Sequence, residues 1–186
     1  MDEQLTLHEL RRLEAQRKLQ TIPRLILDTA WVREAQVEAV IDAVLASLVG
    51  GDAQAYVHAR HVGQWCERIA EALPFGPNPS FARRVGLLAE VDPETLERIC
   101  ELKHVAASVR DYQAAAILGA REHQTMSTIV IVAEEFESRI APRSDGTSDS
   151  ASAVFKCMLE RAPQGHLPAV AALGRALRVS PDARVA

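Results

Sequence analysis

Aromatic side chains are scarce, making up only 4% of the 186 residues: two Trp, two Tyr and four Phe. A β-sheet draws on aromatic and β-branched residues, and no stretch of this chain alternates apolar and polar residues at period two, so a sheet has little to be built from. Cysteine is sparse as well. Cys66, Cys100 and Cys157 are odd in number, far apart and outside any CxxC pair. That suits reduced, buried thiols in a cytosol better than a disulfide frame or a zinc knuckle. Charge of one sign does not accumulate: the formal charge is −4, the pI is near 5.9, and no run of like charge stands out. A nucleic-acid partner is therefore not expected. Apolar runs are cut by charge well short of the roughly 18 to 20 residues that span a bilayer, and the opening MDEQLTLHELRR has no apolar signal-peptide core. The expectation is a soluble, cytoplasmic protein with no membrane partner.

What remains is 48% apolar, with a mean hydropathy near zero and thirty alanines. Small side chains in that number favour closely packed helices, and the length suits one compact domain. All-α is the fold class that follows.

The punctuation divides the chain accordingly. Thr6 to Glu9 has the form of a capping box for a short helix running to about Gln20, with a thin stripe of Leu7, Leu10 and Leu13. Such a helix is marginal alone and needs the body or a second chain to rest on. Ile22-Pro23 ends it, so residues 1–22 are predicted as an N-terminal helical extension and 23–186 as the domain proper. Helical spacing of Trp31, Val37, Val40, Ile41, Val44, Leu45 and Leu48 predicts a helix from about Thr29 to Val49, stopped by Gly50-Gly51. Asp52 caps the next, whose stripe is Val62, Trp65, Cys66, Ile69 and Leu73 up to Pro74. Further helices are predicted from Ser80, over Glu94 to Lys103 behind the Asp92-Pro93 start, and over Val105 to Leu118, Thr125 to Ile140, Ala151 to Arg161 and Leu167 to Val179. The polar run Pro142 to Ser150 reads as a loop.

The chain carries no Gly-rich phosphate loop, GxSxG elbow, HExxH or dinucleotide fingerprint. Its chemistry rests on scattered histidines and acids. At 100° per residue, His58 shares a face with Val62, Trp65, Ile69 and Leu73, so it points inward and needs a partner. His61 is displaced toward Gln64 and Arg68, the side expected to be solvated. Glu134, Glu135 and Glu137 form an acidic cluster that reads as a wet helix face or a partner surface. Arg121-Glu122-His123 reads as a solvated turn, and the serines between Ser144 and Ser152 as ordinary loop residues.

The run Tyr56-Val57-His58-Ala59-Arg60-His61-Val62, a helix, and then Arg84 to Pro93 (RVGLLAEVDP) resemble the opening of an HD-type phosphohydrolase domain, especially the HD-GYP branch, whose form is Y-T-x-x-H-S-x-x-V, a helix, and L-L-H-D-I-G-K. Ile131 to Ser138 (IVAEEFES) resembles that branch's A-D-x-F-D-A segment. The polar loop, helix and Pro-led helix between Pro142 and Leu173 follow its closing order. The resemblance covers about Ala30 to Leu177 and implies a single helical bundle of HD-domain type with an extra N-terminal helix.

The departures shape the expected function. Family members hold one or two metal ions on a His-Asp dyad followed by a phosphate-contacting Lys; here those positions read Ala89, Glu90 and Pro93. The GYP loop is missing, and of its paired histidines only His123 stands in the expected window. The resemblance thus implies a catalytically inactive module, regulatory or protein-binding, in bacterial signalling, with a protein partner or a homodimer as company and cyclic-di-GMP as a conceivable ligand. No catalytic, cofactor-binding or metal residue is expected. Any residual site would draw on His58, Glu90, His104, His123 and Glu134, a mixed set suited to Fe, Mn or Zn. The wheel does not favour it, because Glu90 falls opposite the Phe81, Val85 and Leu88 face, and Glu137 aligns with Val130 and Ala133 better than Glu134 does. The alternatives are a divergent metal-dependent phosphohydrolase acting on a nucleotide or cyclic dinucleotide, and a plain helical scaffold.

Overall fold

A computed structural model of the chain describes residues 30–49, 52–118, 125–142 and 146–178. All regular structure among them is helical, as the composition requires. The eight α-helices are α1 (Ala30–Val49), α2 (Ala53–Ala72), α3 (Pro79–Leu87), α4 (Pro93–Glu97), α5 (Lys103–Leu118), α6 (Thr125–Ile140), α7 (Ala151–Arg161) and α8 (Leu167–Ala176). Single 3-10 turns precede α5 (Cys100–Leu102) and α8 (Gln164–His166). The predicted N-terminal helix with its Leu7, Leu10 and Leu13 stripe, the Arg121-Glu122-His123 turn, Ser144 and the final residues from Ser180 lie outside the described residues.

Helix α2 is the central element, packing against α1, α3, α6 and α8. It begins where a side chain can take up orphan amides: Asp52 accepts from the N–H groups of Gln54 and Ala55 at 3.0 and 3.2 Å. Its C-terminal end is held by another element, since Arg175 of α8 donates through two nitrogens to the Ala72 carbonyl. Between these ends Val62, Cys66 and Ile69 have no exposed surface. They form the stripe the spacing predicts. Of the three cysteines expected to be buried, the structure buries Cys66 alone, leaving Cys157 half-buried and Cys100 exposed.

The hairpin of α2 and α3 is the tightest contact of the fold, and glycine makes it possible. A Cβ on Gly86 would stand 2.6 Å from Cys66 Sγ, closer than a real Cβ comes, and a tight 3.0 Å from Gly63 Cα. The backbones approach because neither position carries a side chain. Helix α3 starts at Pro79 with Asn78 accepting from Phe81 N at 3.0 Å, one residue before the predicted Ser80 start. It stops at Leu87, so Leu88 to Val91 form a turn. Glu90 therefore does not belong to a helix face, and the wheel that set it opposite Phe81, Val85 and Leu88 has no bearing on where its carboxylate lies.

The segment after Asp92-Pro93 differs most from expectation. Asp92 occupies the N-cap position of α4 with Pro93 behind it, but its carboxylate accepts from Thr95 Oγ1 at 2.9 Å and makes no bond to a helix amide. The helix is five residues long, and the Cys100–Leu102 3-10 turn interrupts the predicted run to Lys103. Burial dominates here: Leu96, Leu102 and Val105 all have no exposed surface, and a broken path brings them to one core. Helices α6 and α7 begin and end where the spacing puts them.

Helix α1 is clasped to α3 by charge. Glu38 accepts from Arg83 at 2.7 Å and from Arg84 at 2.9 Å, and Arg84 reaches on to Glu34. No helix among the described residues is long and apolar enough to cross a membrane.

Candidate metal centre

Three elements converge on one group. His58 lies in the second turn of α2, Glu134 in the middle of α6, and Glu90 on the turn after α3; one donor atom from each lies within 4.8 Å of the other two. Among the described residues it is the one set of three or more such groups that could hold an ion. His58 and Glu134 already meet, with Nε2 and Oε2 2.9 Å apart. An ionised carboxylate can only accept, so the imidazole donates. Their side chains are 27% and 17% exposed, an inward but not sealed position, while Glu90 stands open to water.

The electrostatics follow from three carboxylates around one imidazole. The hydrogen bond to Glu134 and the charges of Glu134, Glu90 and Glu137 outweigh partial burial and hold His58 above the usual histidine range. Burial, with the charges of Glu134 and Glu90, pushes the Tyr112 phenol well above its ordinary value. Burial and Glu134 do the same to the Cys66 thiol, which stays protonated and inert. Negative charge is therefore concentrated here.

The donor chemistry fits a divalent ion. One imidazole nitrogen with two carboxylates suits Mn, Fe or Zn. At metal–ligand lengths of about 2.1 Å, ligands on one ion sit no further apart than roughly 4.2 Å, so the three groups need only small side-chain adjustments. A metal would displace the proton His58 shares with Glu134, which makes its binding pH-dependent.

Of the five residues expected for a residual site, these three come together. His104 does not join them: it is exposed at the start of α5, stacked on Phe81 with ring centroids 5.6 Å apart, and burial and the nearby Arg84 lower its pKa. His123 lies outside the described residues. Ala89, at the expected dyad position, is 1% exposed and offers no side-chain donor.

A second His–Glu pair sits one turn further along the same two helices. His61 Nδ1 lies 2.8 Å from Glu137 Oε1, and Trp65 Nε1 donates to Glu137 Oε2 at 3.2 Å. His61 is exposed, as its place on the Gln64 and Arg68 side predicts, whereas the wet-face reading of Glu137 is corrected. Glu137 is 5% exposed, and half-exposed His61 serves it as a donor, because a carboxylate buried beside Phe136 must be hydrogen-bonded. Trp65 also meets Phe136 edge-on at 4.9 Å and carries the Arg68 guanidinium over its ring at the same distance. The matching signal was in the spacing: H-x-x-H at positions 58 and 61 and E-x-x-E at 134 and 137. Gln113 was also missed. Its amide nitrogen donates to the carbonyls of Ala89 and Val91, on either side of Glu90, at 2.8 and 2.9 Å.

Comparison with known proteins finds no matching family model, no similar curated protein and no similar solved structure.

Proposed function

We propose that this chain is a degenerate HD-GYP-like module that acts in bacterial signalling by contacting a protein partner or a second copy of itself, without hydrolysing a substrate, while retaining a remnant of a metal centre. One observation carries the reading. His58, Glu90 and Glu134, three positions where the resembled family places ligands, meet in space, whereas the dyad histidine's position holds Ala89, buried and without a donor. A bundle that keeps the arrangement but lacks this ligand, and has Pro93 in place of a phosphate-binding lysine, has kept its shape better than its chemistry.

The assembled group also favours a second reading, a divergent metal-dependent phosphohydrolase acting on a nucleotide or cyclic dinucleotide. Bound at these residues, a divalent ion supplies a Lewis acid and an acidified water. The chain's part would be to take the ion on His58 and the two glutamates.

Both readings are tested by elemental analysis of protein purified without chelator, paired with a cyclic-di-GMP hydrolysis assay in added Mn²⁺. The first expects at most one ion per chain, lost in His58→Ala, and no turnover. Turnover that needs His58 would replace it with the second. Absence of bound metal in both proteins would remove the metal remnant and leave the interaction module alone.

A further inference from the structure

The three members of the group are held in unequal ways. His58 and Glu134 project from long helices and bond to each other. Glu90 has neither support: it sits on an exposed corner of the Leu88–Val91 turn, where the turn's own hydrogen bonds are Ala89 N to Gly86 O at 3.4 Å and Val91 N to Leu88 O at 2.9 Å. Left to these bonds, the corner would be free to swing the carboxylate away.

Gln113 closes the corner from outside. A side-chain amide nitrogen has two N–H groups, and here each has a carbonyl to meet, one on either side of Glu90. Both neighbours are buried, Ala89 at 1% and Val91 at 3%, so the carbonyls have little water to turn to and the bonds are costly to break. Helix α5, which carries Gln113, packs along α6, which carries Glu134. The Glu90 corner is thereby tied to the helix of its fellow ligand. Tyr112, the preceding residue, feels the charges of both glutamates, which agrees with this stretch of α5 facing the group.

We infer that Gln113 is the positioning residue of this centre, its two-pronged amide fixing the turn so that Glu90 faces His58 and Glu134. The inference rests on reading those three residues as a metal-holding group. Gln113 touches no ligand atom of the group and acts through the backbone. A residue that orients a ligand in this way typically accounts for 10- to 100-fold in metal affinity. Neither methionine, which has no donor, nor an ionised glutamate, which only accepts, can replace it.

The test is Mn²⁺ titration of the whole chain, using the metal alone, for wild type, Gln113→Met and Val170→Ala. Val170 is 1% exposed on α8, a helix that contributes no member of the group, and its truncation supplies a loss of stability for comparison. Unfolding midpoints in chelator calibrate that loss. The expected result is unchanged stoichiometry with a Kd raised about 10-fold or more in Gln113→Met and left at the wild-type value in Val170→Ala. Wild-type affinity in Gln113→Met, or an equal loss in both variants, overturns the positioning role. Wild type that takes up neither Mn²⁺ nor Zn²⁺ overturns the metal group itself, and the positioning role with it. Should Gln113→Met not fold, Gln113→Asn, which keeps the amide one methylene short of the turn, is held to the same comparison.

Discussion

At the scale of single residues, the most consequential side chain outside the three-residue group is Glu137. It is buried, and both of its oxygens are engaged, one by His61 and one by the Trp65 indole. Removing it leaves the indole N–H without its acceptor beside a packed ring, the kind of loss that costs about 1–3 kcal/mol. Glu137→Ala is therefore expected to lower the unfolding free energy by about 2–3 kcal/mol in urea denaturation, and Glu137→Gln, which keeps one acceptor, by about 1 kcal/mol. Equal effects would mean that the carboxylate matters for its volume and not for its bonds. Residue-level roles of this kind were only partly legible. The inward turn of His58, and the alignment of Glu137 with Val130 and Ala133, followed from each helix's own periodicity, whereas the bonds of Glu137 to His61 and Trp65 depend on α2 lying across it. Likewise, nothing local to Gln113 announces two carbonyls some two dozen positions earlier.

Helix boundaries were legible wherever a local signal controls them. Asp52 opens α2 through bonds to its own first turn, and α6 and α7 follow their apolar spacing from end to end. Legibility failed where tertiary burial overrides propensity, as in the 3-10 break before α5 and the early stop of α3 that frees Glu90. Two predictions belong to this scale. Gly86→Ala drives a methyl into Cys66 Sγ and the Gly63 backbone, so it should cost about 1–3 kcal/mol despite alanine's better helix propensity. A neutral result by thermal melting would show that α2 and α3 have room to separate. The α1 to α3 clasp makes the second. Burial tends to raise the Glu38 pKa, but hydrogen bonds from Arg84 and Arg83 outweigh it and hold the carboxyl below its usual range. A lowered carboxyl pKa stabilises the fold above the unfolded value of about 4.3, and that contribution is lost as pH falls through the folded value. Glu38 is 31% exposed, so after solvent screening the clasp is worth about 1 kcal/mol. The stability gap between wild type and Glu38→Gln should be of that size at pH 7 and narrow steadily as pH falls below the unfolded value; a gap that does not change with pH across the acid range would assign the clasp to packing.

For the whole molecule, the sparse aromatics and abundant alanine pointed to an all-helical body, and the described residues form one, around a core that runs from Val40 to Leu173. The N-terminal helix expected from the sequence belongs to this scale, because a stripe as thin as Leu7, Leu10 and Leu13 would need another surface to rest on. If that surface is a second copy, deletion of residues 1–20 should halve the solution mass measured by light scattering, while an unchanged mass would remove the idea. The two His–Glu pairs have a molecular consequence too. Both join residues 76 positions apart, so α2 and α6 are keyed together at two points one helical turn apart. Sliding one helix by a turn would bring His61 to Glu134 and Gln64 to Glu137, leave His58 against Ile131, and strip a buried carboxylate of its imidazole. The pair of keys therefore opposes shear along the central interface and fixes the register in which these two helices meet.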